Sequence, residues 1–335
     1  MFFDVKQLSG GHFIRYRHLS GIDKPLSALT YGTPHSATNA KTRADAFRSY
    51  DLAWEAGFRT FDTAHSYGAG EETLGAWLSS RKYRAEAVIL DKGCNPGQNG
   101  SPDMFSARTI REQAEESLRR LQTDHVELYI LHRDDASIPV DEIVEELNKL
   151  KREGKIIRFG GSNWSMERVK AADAYAQAHG LEGFTAVSPA YSLADYIHDP
   201  WGGSVALSGE AQQPFRAWLA ETQLPVFCYS SLGRGYLSGK FRTDGDQPIE
   251  ACIGKGSIME YDAPVNRARL ARAEKLASEK NSTVSQVCLS WLLRQPLNIF
   301  PIVAPSSEAH IRDNAAALDL ELSDCECKWL LEGES

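Results

Sequence analysis

Short apolar runs alternate with longer amphipathic stretches along this chain, from about residue 26 to about residue 320. The runs lie at 26–31, 60–62, 87–92, 126–132, 156–160, 184–188, 225–229 and 299–303. Each has the length of a buried strand. Between them, apolar residues recur at spacings of three and four over 42–56, 71–81, 107–121, 140–153, 166–179, 213–221, 266–280 and 306–318, with one more such stretch over 284–294. That is helical spacing. Gly57, Gly154 and Gly180 stand where carboxyl-terminal helix caps belong. Before the rhythm starts, residues 12–18 alternate as a strand does and Ser20-Gly21 reads as a turn, so 1–25 is expected to be a short amino-terminal extension.

Eight strand–helix units predict an α/β fold, a (β/α)8 TIM barrel over about 26–320 within a single domain spanning 1–335. The alternative is a doubly wound open sheet, which wants a glycine fingerprint after an early strand. Gly68-Ala-Gly70-Glu-Glu-Thr73 fails at its third glycine. Gly233-Arg-Gly235 with Gly239-Lys240 fails as a phosphate loop, because Arg234 replaces the first glycine and Phe241 follows the lysine. No repeat, linker or low-complexity tract breaks the chain. The stretches 191–211 and 232–262 are long loops, a length that compact folds keep for function or mobility.

Composition adds exclusions. With 42% hydrophobic and 24% charged residues the chain can build a sizeable core. A formal charge of −8 argues against nucleic acid or an anionic membrane as partner. The six cysteines show no CxxC pair and no zinc spacing, and Cys325 and Cys327 read as residues of a surface tail. The amino terminus lacks a basic-then-apolar leader and no apolar run approaches ~18 residues. A reduced, cytoplasmic protein is therefore expected, with the sequons at Asn163 and Asn281 as chance matches.

Three of the apolar runs deliver ionisable groups at or just past their carboxyl ends. These are Asp62 with Tyr67 five residues on, Lys92, and His132. In a closed parallel barrel such ends converge on one mouth, where catalysis lives. Each residue alone is ordinary: a tyrosine before a glycine packs at a turn, a terminal lysine is solvated, and a lone histidine is structural. Their shared order and placement favour chemistry. A lysine beside Tyr67 would stabilise its phenolate and lower a pKa that is otherwise near 10, with Asp62 holding Lys92 charged. His132 could orient a carbonyl and donate to a developing oxyanion. A metal reading of His132-Arg133-Asp134-Asp135 is weaker. Adjacent acids on a loop cannot all face one point and Arg133 opposes a cation, so no metal is expected.

Five motifs in order carry a resemblance: Gly57-Phe-Arg-Thr-Phe-Asp-Thr-Ala-His-Ser-Tyr-Gly, Asp91-Lys92-Gly93, Leu131-His132-Arg133, Gly160-Gly-Ser162-Asn163-Trp, and Tyr229-Ser-Ser-Leu-Gly-Arg-Gly-Tyr-Leu-Ser-Gly-Lys. Over nearly its whole length the chain resembles the aldo-keto reductase family. The resemblance implies reversible hydride transfer between NAD(P)(H) and an aldehyde, ketone or the corresponding alcohol. It maps the catalytic tetrad onto Asp62, Tyr67, Lys92 and His132, with Tyr67 as general acid in reduction and base in oxidation.

The same resemblance implies a cofactor site. Ser162 and Asn163 would bond the nicotinamide carboxamide, helped by Ser188 where the family often has Gln, and Tyr229 would stack on the ring. Ser230, Leu232, Gly233 and Arg234 belong to the loop facing the pyrophosphate, with Ser230, Leu232 and Gly233 offering amides. Gly32, Thr33 and Asp62 would line the mouth. The adenine-ribose motif at 302–314 includes Ser306, Ser307, Arg312 and Asn314. Its usual basic positions hold Pro305, Ser307 and His310, beside Glu308. Phosphate recognition favours Arg or Lys, so NADH use, or use of both NAD(H) and NADP(H), is expected. Mouth-loop residues His35, Trp164, Tyr191 and Asp134, with His65, Asn95, Asp135 and Trp201 nearby, suit a sugar or polyol, with a small aliphatic or aromatic aldehyde as competitor. Two other readings stand: a non-catalytic nicotinamide-binding regulatory subunit, and a metal-dependent barrel lyase or isomerase. The pattern carries no oligomer signal.

Overall fold

The computed structural model describes residues 3–7, 13–33, 40–96, 104–199 and 201–333. Its amino-terminal strands β1 (Phe3–Gln7), β2 (Phe13–Arg17) and β3 (Leu26–Ser27) pair antiparallel in that order. A parallel sheet follows, built from β4 (Thr30–Gly32), β5 (Thr60–Asp62), β6 (Val88–Gly93), β7 (Val126–Leu131), β8 (Ile156–Ser162), β9 (Ala186–Ser188) and β10 (Ile302–Val303). Its order is β10-β4-β5-β6-β7-β8-β9.

The sheet closes through the run around Val226. Parallel bridges join Val187 to Val226 and Val226 to Ile299. Phe227 N–H donates to Val187 O at 2.9 Å and Phe300 N–H to Val226 O at 2.7 Å. The run expected as the strand 225–229 thus occupies its place by isolated bridges, without a continuous ladder. The strand expected over 26–31 is split. The Ser27 hydroxyl accepts from the N–H groups of Arg59 and Thr60, at 2.6 and 3.2 Å, and ends the first half, which pairs with β2 instead.

Helices α1 (Ala40–Glu55), α2 (Gly70–Arg81), α3 (Ala107–Leu121), α4 (Val140–Arg152) and α5 (Met166–Ala178) follow β4 to β8 in turn. Then come α6 (Gln213–Thr222), the short α7 (Ile249–Cys252) and α8 (Lys255–Tyr261), α9 (Pro264–Glu279), α10 (Val284–Leu293), α11 (Glu308–Ala316) and α12 (Asp324–Glu332). The sequence pattern omits α7, α8 and α12; they are short, and α7 and α8 sit inside the long 232–262 stretch. Among the described residues no helix is long and apolar enough to cross a membrane.

Two hydrophobic layers hold the fold. Outside the barrel, Trp77 sits among Tyr50 at 5.2 Å and Phe61 at 5.3 Å, and its indole N–H donates to Asp51 at 2.8 Å. Removing such a buried ring costs about 3–5 kcal/mol. Inside the barrel, Val88, Leu90, Leu128, Ile130, Ala186, Phe227 and Phe300 pack with Ile22 of the extension and Leu26 of β3. The extension therefore plugs the amino-terminal end of the barrel. Glu127 locks that end: its buried carboxylate accepts from Lys24 at 2.6 Å, Arg84 at 2.9 Å and Ile89 N–H at 2.8 Å.

Candidate functional site

The two-residue period of a strand carries the interior layer up to the mouth. Val88 and Leu90 point into the barrel, so Lys92 follows on the same face. Leu128 and Ile130 point inward on β7, and His132 follows just past the strand. Asp62 ends β5 beside them. Tyr67 lies on the β5–α2 connection, where its N–H donates to Ala64 O at 2.9 Å and its carbonyl accepts from Gly70 N–H at 3.0 Å.

These four side chains meet. The Lys92 ammonium bonds the Asp62 carboxylate, donates to Thr63 O at 3.0 Å, and stands 5.1 Å from the centre of the Tyr67 ring. The Tyr67 and His132 rings pack edge to face, 5.7 Å apart. Burial pulls the Lys92 pKa down, but Asp62 and Tyr67 outweigh it and raise the pKa above that of a free lysine. For Tyr67, burial raises the phenol's pKa and exceeds the lowering by Lys92 and Arg133. The sequence leads one to expect a net depression; the structure gives a phenol that keeps its proton at neutral pH, with a cation poised to stabilise its loss.

The expected nicotinamide residues form a bonded group. Ser162 Oγ donates to Ser188 O at 2.6 Å, and Asn163 Nδ2 donates to His132 O and to Ser162 Oγ, each at 3.1 Å. Asn163 Oδ1 accepts from Tyr229 OH at 2.8 Å and from Val205 N–H at 3.0 Å. Asn163 has φ 62°, a left-handed conformation that asparagine tolerates better than most residues. Its amide is thus spent on the protein, tying the mouth to the 191–211 loop. Ser188 Oγ is buried with no protein partner among the described residues. A buried hydroxyl in that state beside Ser162 and Tyr229 fits the polar edge of a flat ring such as nicotinamide.

On the pyrophosphate side, Ser230, Gly233, Arg234 and Gly235 all have positive φ. The Gly233 amide donates to Ser230 O at 2.7 Å, so it closes the turn and is not presented outward as expected. Leu232 accepts from Gly235 N–H at 3.0 Å. Arg234 pairs with Glu260 of α8 and lies over Trp201, 5.0 Å from its ring centre. Gly32 packs so closely on β10 that an added Cβ would meet an Ile302 methyl at 3.2 Å. Thr33 N–H donates to Asp62 O at 2.9 Å. At the adenine end, Ser306 Oγ contacts His310 Nδ1 at 3.1 Å, Ser307 caps α11, Arg312 pairs with Glu308 at 2.6 Å, and Asn314 is buried.

The residues expected to meet substrate are placed otherwise. Trp164 is 1% exposed, donates to Arg133 O at 3.0 Å and packs on Phe184. Tyr191 is buried against Trp291 and donates to Gln295 at 3.3 Å. Asp134 is held by two hydrogen bonds from Arg168, at 2.9 and 2.8 Å. Large aromatics gain more from burial than from lining a wet mouth, and a guanidinium fork saturates a carboxylate. The pairing of Asp134 with Arg168 and of Asp135 with Ser137 also turns these acids away from a shared ion. His35 lies outside the described residues. Arg133, expected to have no role of its own at the site, emerges as a mouth residue. It donates to Ser204 Oγ at 3.0 Å, stands 6.0 Å from the Trp201 ring centre, and its charge reaches Tyr67. Its position directly after His132 was the available signal.

With this geometry in place, comparison with known proteins decides the family. The model of the aldo/keto reductase family matches residues 28–331. The chain belongs to the aldo/keto reductase family. As a member it is an NAD(P)(H)-dependent oxidoreductase acting on carbonyl compounds. Among curated relatives of this aldo/keto reductase, an uncharacterised oxidoreductase, YrpG of Bacillus subtilis, is 29% identical over 322 residues and covers 92% of each chain. Aldo-keto reductase yakc [NADP(+)] of Schizosaccharomyces pombe is 28% identical over 80% of this chain and 75% of its own. The crystal structure of a thermostable aldo-keto reductase, Tm1743, superposes with a TM-score of 0.72 at 21% identity, covering 95% of this chain and 99% of that one. That likeness shows the shared barrel.

Proposed function

We propose that this reductase converts a small aldehyde or ketone to its alcohol, and the reverse, with Tyr67 as the proton-transferring residue. The observation that carries the reading is the meeting of Tyr67, Lys92, Asp62 and His132 at the barrel mouth. NAD(P)H, when bound, supplies the hydride that reaches the carbonyl carbon. Tyr67 then gives its proton to the oxygen, which would otherwise carry the negative charge. Lys92 stabilises the phenolate left behind, and Asp62 keeps Lys92 charged and in place. His132 orients the carbonyl and donates toward the developing charge. In oxidation the same phenolate takes the alcohol proton.

Ser162, Ser188 and Tyr229 would hold the nicotinamide, the 230–235 turn the pyrophosphate, and α11 the adenosine. Arg312 is the cation at that end, and Glu308 already engages it. We therefore propose that NADH is accepted alongside NADPH. The name of the yakc relative records NADP, which makes this a point for direct measurement. With Trp164 and Tyr191 buried and Asp134 held by Arg168, three of the residues behind the sugar reading are engaged within the protein, which favours a simple aldehyde as the substrate proposal. The test is turnover of 4-nitrobenzaldehyde with each cofactor, followed at the nicotinamide absorbance. Turnover dependent on NADPH or NADH is expected. Cofactor binding with no turnover across a panel of aldehydes, ketones and sugars would favour the non-catalytic alternative.

A further inference from the structure

Strand β6 has a second face. Lys92 points into the mouth, so Asp91 before it points outward, under helices α2 and α3. Asp91 and Glu71 are both wholly buried there and act on each other, and both Asp91 oxygens and Glu71 Oε1 find no hydrogen-bond donor among the described residues. Two neighbouring buried carboxyls without other donors are accommodated when they share a proton. Burial, and then the Glu71 charge, push the Asp91 pKa well above the usual carboxylate range.

Glu71 also accepts from Arg120 of α3 at 3.0 Å. The same Arg120 guanidinium donates to His65 O at 3.2 Å and to Glu116 at 2.5 Å. Glu116 in turn contacts His65 Nε2 at 3.0 Å. His65 N–H donates to Lys92 O at 2.8 Å. His65 is thus gripped at its amide, its carbonyl and its ring, and it lies two residues before Tyr67. Glu71 lies four residues after Tyr67 and touches the neighbour of Lys92. One guanidinium holds the Tyr67 segment on both sides and fastens it to the strand that carries Lys92.

We propose that Arg120, outside the barrel, is a positioning residue that sets the distance between Tyr67 and Lys92. It touches no substrate; it acts through His65, Glu116 and the Glu71–Asp91 pair. Proton transfer is steeply sensitive to placement, since an error of about 1 Å can cost on the order of a hundredfold. Among the described residues, the titratable and charged groups acting on Tyr67 include Lys92, Asp62, His132, Arg133 and Tyr229. Loosening the Tyr67 segment moves it chiefly against Lys92, so the phenolate loses its cation.

The proposal rests on Tyr67 being the proton donor. Its test uses the whole enzyme, 4-nitrobenzaldehyde and the cofactor the wild type prefers. Arg120→Met is expected to lower kcat about tenfold or more, to leave cofactor Kd within about twofold, and to move the alkaline limb of kcat to higher pH, because Tyr67 then holds its proton more tightly. Arg120→Lys should recover part of the loss. Glu116→Gln, at a partly exposed position that folding tolerates, should show the same shift on a smaller scale. If Arg120→Met, or Glu116→Gln where the first does not fold, keeps wild-type kcat and pH limb while only its melting temperature falls, Arg120 is a structural residue and the proposal is overturned. A wild type that never turns over would instead overturn the reading of Tyr67, and the positioning role with it.

Discussion

The Lys92 ammonium and the Asp62 carboxylate bond each other at the barrel mouth with side chains only 3% and 5% exposed. Neither charge can turn to water if the other is removed. Lys92→Met should therefore cost about 3–5 kcal/mol of stability, the usual result of stranding a buried charge, as well as turnover. Urea denaturation checks it. A loss below about 1 kcal/mol would mean that water reaches Asp62 freely.

Glu127 makes the opposite end of the barrel pH-dependent. Burial opposes its ionisation, but His125, Arg84 and Lys24 outweigh burial and lower the carboxyl to about 2. A depressed carboxyl stabilises the fold above its unfolded pKa, near ~4.3, and loses that contribution as pH falls through the folded value. The term is on the order of 3 kcal/mol. Glu127→Gln should lower the melting temperature at pH 7 and much less at pH 3. Equal losses at both pH values would contradict the assignment.

Asp91 has the reverse sign. Its folded pKa is raised, so its contribution is fully present below the unfolded pKa, near ~3.9, and is lost as pH rises through the folded value. Asp91→Asn keeps a donor toward Glu71 and cannot ionise. Its melting temperature relative to wild type should climb between pH 4 and pH 9. A flat difference would show that Asp91 and Glu71 share no proton.

The adenine end makes a prediction about cofactor choice. Glu308 engages Arg312, so Glu308→Arg should remove an acidic group from this end and add a second cation. The NADPH:NADH affinity ratio should then rise by about tenfold, the worth of one charge-assisted contact. If wild type already binds NADPH ten or more times tighter than NADH, the proposed cofactor use is wrong.

The barrel was legible because its strands and helices have different hydrophobic periods, and the two-residue period alone puts Lys92 and His132 on the inner face above Leu90 and Ile130. The run 225–229 was legible as a strand by composition, yet its bridging by single residues depends on neighbours that the run does not encode. For Trp164, Tyr191 and Asp134, proximity to a mouth motif says nothing of rotamer or partner. Trp164 found Phe184 and Asp134 found Arg168. Arg120 was illegible for a related reason: Glu116 is its i,i+4 neighbour on α3, but His65 and Glu71 come from the β5–α2 region, and only the fold brings them to it.

The most direct measurement is the Tyr67→Phe variant, compared with wild type for both cofactor Kd, by quenching of tryptophan fluorescence, and kcat on 4-nitrobenzaldehyde. Removing one hydroxyl leaves the ring packed against His132 and the Lys92–Asp62 pair intact. The account predicts unchanged cofactor affinity with kcat down by about a hundredfold or more. A variant that binds cofactor and keeps near-wild-type kcat would show that Tyr67 is not the proton donor.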